Sequence, residues 1–422
     1  MSGQCPFSRR QFLTAGGLGL LAAKVGLGQG MAAAVPAPGA LAQAPTVPFR
    51  GRHQAGITTP QQGHTYFAAF DLEAPTREDV IRTLKLWTDA SERLCAGRTA
   101  APMESDLTKP PTDSGEAIDL SASRLTITFG FGAGLFTKDG KDRYGLAPRR
   151  PEALVDLPKF NGDQLIAEKT GGDLSIQACA DDPQVAFHAV RQLARLGAGV
   201  AQIRWAQTGF ASGDADVTPR NLMGFKDGTQ RPEEKDRERL VWAGAEGPGW
   251  MQEGSYVVVR RIRMALEHWD GTDVDFQQQV IGRAKDTGAP LGGKGEFDPM
   301  NLDAADKDGN SIIPDNAHIR LATSSTNDGA QVLRRGYSYN DGVNFISERW
   351  PPWRQGIEYD AGLFFVAYQA DPRTGFIKIF DKMAKLDALN QFVTHTGSGI
   401  FACPPGAGEG QYIGQALFSG AA

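Results

Sequence analysis

Cysteine is scarce in this chain: four residues in 422, Cys5, Cys95, Cys179 and Cys403, with no C-x-x-C pair. That count permits one disulfide but requires none, and it argues against thiolate ligation of iron or zinc. Acidic residues are missing from the first 70 positions, where no Asp or Glu precedes Asp71. Long apolar runs are missing too. The one near the N-terminus is interrupted by Lys24 and falls short of the ~20 apolar residues that span a bilayer. Excess positive charge is also absent: the formal net charge is −5. An acidic, mixed surface argues against nucleic acid or an anionic membrane as the main partner. Histidine is limited to His53, His64, His188, His268, His318 and His395, so few positions can supply an imidazole ligand or base.

What the N-terminus does contain is ordered like an export signal. Ser8-Arg9-Arg10-Gln11-Phe12-Leu13 is a twin-arginine motif, followed by a Gly/Ala-rich apolar run to Gly28 and a small-residue cleavage box at Ala40-Leu41-Ala42. Residues 1–42 are therefore expected to be a signal peptide, with a mature start near Gln43 and the periplasm as destination. Removing the leader's three positive charges takes the net charge from −5 to −8. The roughly 380 residues left suffice for two domains.

The hydrophobic pattern repeats itself. A strand is expected over His64–Leu72, a helix from about Thr76, strands over 124–136 and 174–180, a helix over 182–196 capped by Asp182, and a strand over 200–210. The second half gives a strand over 256–266, a helix over 276–283, strands over 332–339 and 362–369, a helix over 373–392 and a strand over 399–403. Each half reads β-α-β-β-α-β, the ferredoxin-like unit. The fold class expected is α+β, two ferredoxin-like domains with facing antiparallel sheets in a barrel-like pair. The divisions are a flexible arm at 43–60, an N-terminal domain at 61–211, a linker at 212–254 and a C-terminal domain at 255–422.

The linker carries Gly224-Phe225-Lys226-Asp227-Gly228-Thr229. An acid set between a lysine and a glycine suits an exposed carboxylate on a tight turn. Downstream come Pro314-Asp315-Asn316-Ala317-His318-Ile319-Arg320-Leu321-Ala322 and Val332-Leu333-Arg334-Arg335-Gly336-Tyr337, with Gly288–Gly293 and Gly362–Gln369 as further blocks. In order and spacing these resemble the dye-decolourising peroxidases, haem b enzymes with a G-x-x-D-G turn, a histidine on the haem iron and a downstream arginine facing the other side. The resemblance runs over nearly the whole chain after about residue 60. With the export signal it points to the family's exported, deferrochelatase-type branch.

The resemblance implies specific roles. His318 is the axial ligand of the haem iron, Asp227 the distal acid/base and Arg334 the distal cation. Gly228, Thr229 and Gln230 line the haem edge. Residues five to seven past the ligand read Asn-Pro-Arg in close relatives; here they are Thr323-Ser324-Ser325, which offer hydroxyls to the haem and no cation. Arg320 is a substitute cation to consider, and Arg335 is expected to point outward or to form a salt bridge. Trp242, Trp250, Tyr337 and Trp353 are considered as surface electron relays.

The function implied is reduction of hydrogen peroxide with oxidation of a phenolic, dye or porphyrin donor, with release of iron from haem as a second activity. The implied partners are peroxide, a small aromatic or porphyrin reductant and components of an iron-uptake system; fold analogy allows a homodimer. The rival expectation is a non-catalytic periplasmic haem-transfer protein, which needs His318 but not Asp227 and Arg334. Gly288–Gly295 lacks the Ser/Thr of a phosphate loop, and Ala304–Gly309 has Ala at the first ligand position of a calcium loop, so neither carries a claim.

Overall fold

The computed structural model describes residues 45–212, 217–347 and 355–419. The expected export signal and Trp353 lie outside these residues. The described residues form one compact unit.

In the first half, β1 (His64–Leu72), β2 (Thr126–Phe131), β3 (Leu174–Ala180) and β4 (Ala201–Phe210) pair antiparallel in the order β2-β3-β1-β4. Two helices cover one face, α1 (Arg77–Cys95) and α2 (Pro183–Leu196). Thr76 caps α1 by accepting the Asp79 N–H, and Asp182 caps α2 by accepting from Gln184 and Val185. In the second half, β5 (Ser255–Met264), β7 (Tyr337–Ser347), β8 (Gln355–Gln369) and β9 (Val393–Cys403) take the order β9-β5-β8-β7, while the two-residue β6 (Leu333–Arg334) pairs with β8. The halves join at both edges, Phe131 opposite Ala402 and Phe210 opposite Ser338. The antiparallel sheet thus closes into a barrel.

Strand periodicity assigns each face. Along β1, Phe67 and Ala69 point into the barrel, where Phe67 packs against Trp205, Phe364 and Phe401. Ala68, Phe70 and Leu72 point to the helices, with Phe70 against the Trp87 ring of α1. On β5, Val257 and Val259 face inward, and Val258 packs outward against Phe160 and Phe376.

Several second-half boundaries differ from the sequence expectation. The strand expected at 332–339 is broken at Arg335-Gly336 into β6 and β7. β7 and β8 extend well beyond their expected ends, because Asn340-Asp341-Gly342 is a bulge, with Gly342 at φ 105°, across which their pairing continues. The helix expected over 373–392 ends at Leu386 as α5 (Phe376–Leu386), followed by a 3₁₀ turn at Ala388–Gln391. Arg335 does not point outward. It is buried and donates to the Thr59 carbonyl and to Gln62 Oε1, with no carboxylate partner among the described residues. Trp242 and Trp250 are core residues as well, Trp242 stacked on His53 and Trp250 donating to the Arg149 carbonyl. Tyr337 is equally buried, so none of the three is a surface aromatic.

Candidate active site

Outside the barrel, the outward faces of β5, β8 and β9 form the floor of a cavity of about 510 Å³. Its walls are α3 (Val274–Ile281), α4 (His318–Ala322), α5 and the segment 221–236. Ile262, Met264, Leu363, Phe365 and Phe380 give it an apolar interior. That size and lining suit a small-molecule or cofactor site.

His318 opens α4 and stands at one wall. Its Nδ1 lies 2.7 Å from Asp387 Oδ2, while Asp387 Oδ1 accepts the Leu389 N–H at 2.9 Å. Asp387 is buried where α5 ends. The His318 side chain is 30% exposed, and the surface it exposes lines the cavity. Burial disfavours the imidazolium, but the charge and hydrogen bond of Asp387 more than offset it and raise the pKa above the ordinary value. The contact orients the ring and leaves Nε2 as the nitrogen free for a ligand.

Asp227 and Arg334 come from separate elements. Arg334 is fixed by β6, paired with Ala367 of β8. Asp227 sits in a folded turn whose backbone is closed by Asp227 N–H to the Pro219 carbonyl, 2.9 Å, and by Asn221 N–H to the Phe225 carbonyl, 2.9 Å. Gly228 follows at φ 110°, which other residues resist. The turn is anchored by an ion pair of Lys226 with Glu296 and by the Thr229 hydroxyl donating to Glu296 at 3.0 Å. Arg334 Nη1 then meets Asp227 Oδ1 at 2.8 Å, and both charges act on the His318 ring.

One cavity therefore gathers Asp227, Gly228, Thr229, Gln230, His318, Ser324 and Arg334. Thr323 and Ser325 are not in its lining. Residues Ser324–Thr326 form a single 3₁₀ turn, which aims Ser324 at the cavity and Ser325 at solvent. The buried Thr323 gives its carbonyl to Thr326 and Asn327. Arg320 is also elsewhere, bonded to the Ile313 and Leu302 carbonyls. Sequence reasoning missed Asp387, which lay inside an expected helix and looked like any other helical acid. It also passed over Arg231, four residues beyond the G-x-x-D-G acid, and Arg283.

The charges test whether haem fits. Of the cavity's five cations, Arg334 pairs with Asp227, Lys226 with Glu296 and Arg260 with Asp163. Arg231 and Arg283 have no carboxylate partner among the described residues. An apolar slot with a carboxylate-backed imidazole and a cation-rich lining suits a flat macrocycle bearing carboxylates. Fold and site together define a haem enzyme on an α+β barrel.

Comparison with known proteins agrees. The N-terminal model of the Dyp-type peroxidases matches residues 54–211 and the C-terminal model residues 218–408. A dye-decolorizing peroxidase of Thermobifida fusca is 41% identical over 386 residues, 87% of this chain and 84% of the relative. A deferrochelatase of Escherichia coli K12 is 38% identical over 384 residues, 88% and 86% of the two chains. The structure of ferric DtpA from Streptomyces lividans aligns with a TM-score of 0.81 at 41% identity, covering 90% of this chain and 98% of that one. The chain belongs to the Dyp-type, or dye-decolourising, peroxidase family. It is a haem-dependent peroxidase, with haem as its cofactor.

Haem, when bound, supplies the redox iron that reacts with peroxide. The chain's residues supply the rest. His318 Nε2 would hold the iron, with Asp387 increasing its basicity. Asp227 would be the group to take a proton from one peroxide oxygen and return it to the other. Arg334, a permanent cation, would stabilise negative charge developing on peroxide held there.

Proposed function

We propose that the mature chain is a periplasmic haem b peroxidase, exported by the twin-arginine route, that reduces hydrogen peroxide at the expense of phenolic, dye or porphyrin donors. The observation that carries this reading is the Asp227–Arg334 pair at 2.8 Å, lining the same cavity as the carboxylate-backed His318. A haem carrier needs the histidine alone, whereas an acid beside a fixed cation is what heterolysis of peroxide requires. The four-strand orders β2-β3-β1-β4 and β9-β5-β8-β7 support reading each half as a ferredoxin-like unit. A homodimer and contact with iron-uptake components belong to the same proposal.

Release of iron from haem, leaving the porphyrin intact, is the proposed second activity. It is supported by the 38% identity to a protein named deferrochelatase. The deciding experiment compares wild type with Asp227→Ala in haem content and in peroxide-driven dye oxidation. Full haem loading with turnover lost supports the enzyme reading; unchanged turnover overturns the role of Asp227. Free porphyrin, read by its fluorescence after incubation with haem and a reductant, tests iron release.

A further inference from the structure

We propose that Arg231, on the Asp227 turn, binds a carboxylate of the haem; this rests on the haem reading above. Of the cavity's two arginines without a carboxylate partner, Arg283 already spends Nη1 on the Gly288 and Glu296 carbonyls, at 2.6 and 2.9 Å, and is buried in its own loop. Arg231 makes a single hydrogen bond among the described residues, Nε to the Gly228 carbonyl at 3.2 Å, which leaves both Nη groups without a partner.

Its position suits the task. Arg231 lines the cavity with only part of its side chain open to solvent, so it stands at the rim, where the polar edge of a macrocycle lies while the rings stay inside. The alternatives are engaged. From the 323–325 loop only Ser324 faces the cavity, and it brings a hydroxyl rather than a charge. Arg320 is held by the backbone carbonyls of Ile313 and Leu302. Burial and repulsion from Arg334 and Arg335 outweigh the attraction of Asp227 at Arg231 and lower its pKa, the condition a bound anion relieves. The cation that neutralises the cofactor's edge then sits four residues from the distal acid, on one turn.

The test uses the holoprotein loaded either with haem or with haem dimethyl ester, which lacks free carboxylates, and follows transfer of the group to excess apomyoglobin. Arg231→Gln should release haem about tenfold faster than wild type, the size expected for losing one charge-assisted contact, and Arg231→Lys should restore most of the retention. With the ester, wild type and Arg231→Gln should release at the same rate. Equal haem release by wild type and Arg231→Gln overturns the proposal, as does faster release of haem and ester alike, which would mark a structural role. A wild-type chain that shows no Soret band with either compound would instead overturn the haem reading itself.

Discussion

Asp387 Oδ2 stands 2.7 Å from His318 Nδ1, and the same carboxylate caps the turn after α5 through the Leu389 N–H. One acid thus orients the ring and terminates the helix that forms a cavity wall. Asp387→Asn keeps the cap and a hydrogen bond but removes the charge that makes the imidazole a strong donor. Haem should still bind, with the ferric–ferrous midpoint shifted to higher potential and turnover or haem affinity reduced about 10- to 100-fold. Spectroelectrochemical titration checks this; an unmoved midpoint would show that the carboxylate only positions the ring.

On the proposed mechanism Asp227 and Arg334, paired at 2.8 Å, act on the same peroxide, so their losses should not add. Arg334→Leu should lower the rate of reaction with peroxide by about 10²–10³ with haem content retained. The double variant with Asp227→Ala should fall little below the worse single one, since a preorganised pair works as a unit. Stopped-flow measurement of the peroxide reaction gives all four rates. Additive losses would mean the two residues serve separate steps.

Much of this was legible before the structure. Strands β1 and β3 coincide with their expected spans because both follow an apolar run closed by turn residues, and the Asp182 cap marked the start of α2. His318, Asp227 and Arg334 were marked by motif order, and they do line one cavity. What was hidden depends on contacts distant in sequence. Asp387 lies 69 residues from His318, and nothing local separates it from other helical acids. Arg335 looked like a surface strand residue but turns inward to Thr59 and Gln62, more than 270 residues away. Asn340-Asp341-Gly342 carries turn chemistry yet serves a bulge, since the pairing of β7 with β8 continues beyond it. Loop 323–325 needed its 3₁₀ geometry before inward and outward residues could be told apart.

Arg260 is the buried cation beneath the cavity floor. It pairs with Asp163, reaches His395 Nδ1 at 3.1 Å and Ser398 at 3.0 Å, and lies between the Phe160 and Phe380 rings. Burial and the adjacent guanidinium push the His395 pKa down to about 3, so this histidine is neutral through the working range. Asp163→Asn strands the arginine charge away from water and should cost about 3–5 kcal/mol. Replacing both partners, Arg260→Met with Asp163→Leu, should cost clearly less than the single change. Denaturant unfolding measures both. If the double variant is the weaker, the pair contributes more than its desolvation penalty.

Glu116 ties the long α1–β2 connection to α2. Its Oε2 accepts from Ser114 and lies 3.3 Å from His188 Nδ1, and Oε1 pairs with Arg191. Burial alone would raise its pKa, but hydrogen bonds from Ser114 and from its own backbone, followed by His188, bring it down to about 2. A carboxyl depressed in the fold from about 4.3 in the unfolded chain stabilises fully above the unfolded value and loses that contribution as pH falls toward 2. Allowing for solvent screening, Glu116→Gln should cost about 1–2 kcal/mol at pH 7. The gap to wild type should narrow below pH 4.5 and close near pH 2. Urea unfolding across that range decides it: a gap that persists at the lowest pH would mean that Glu116 stabilises the connection by packing rather than by charge.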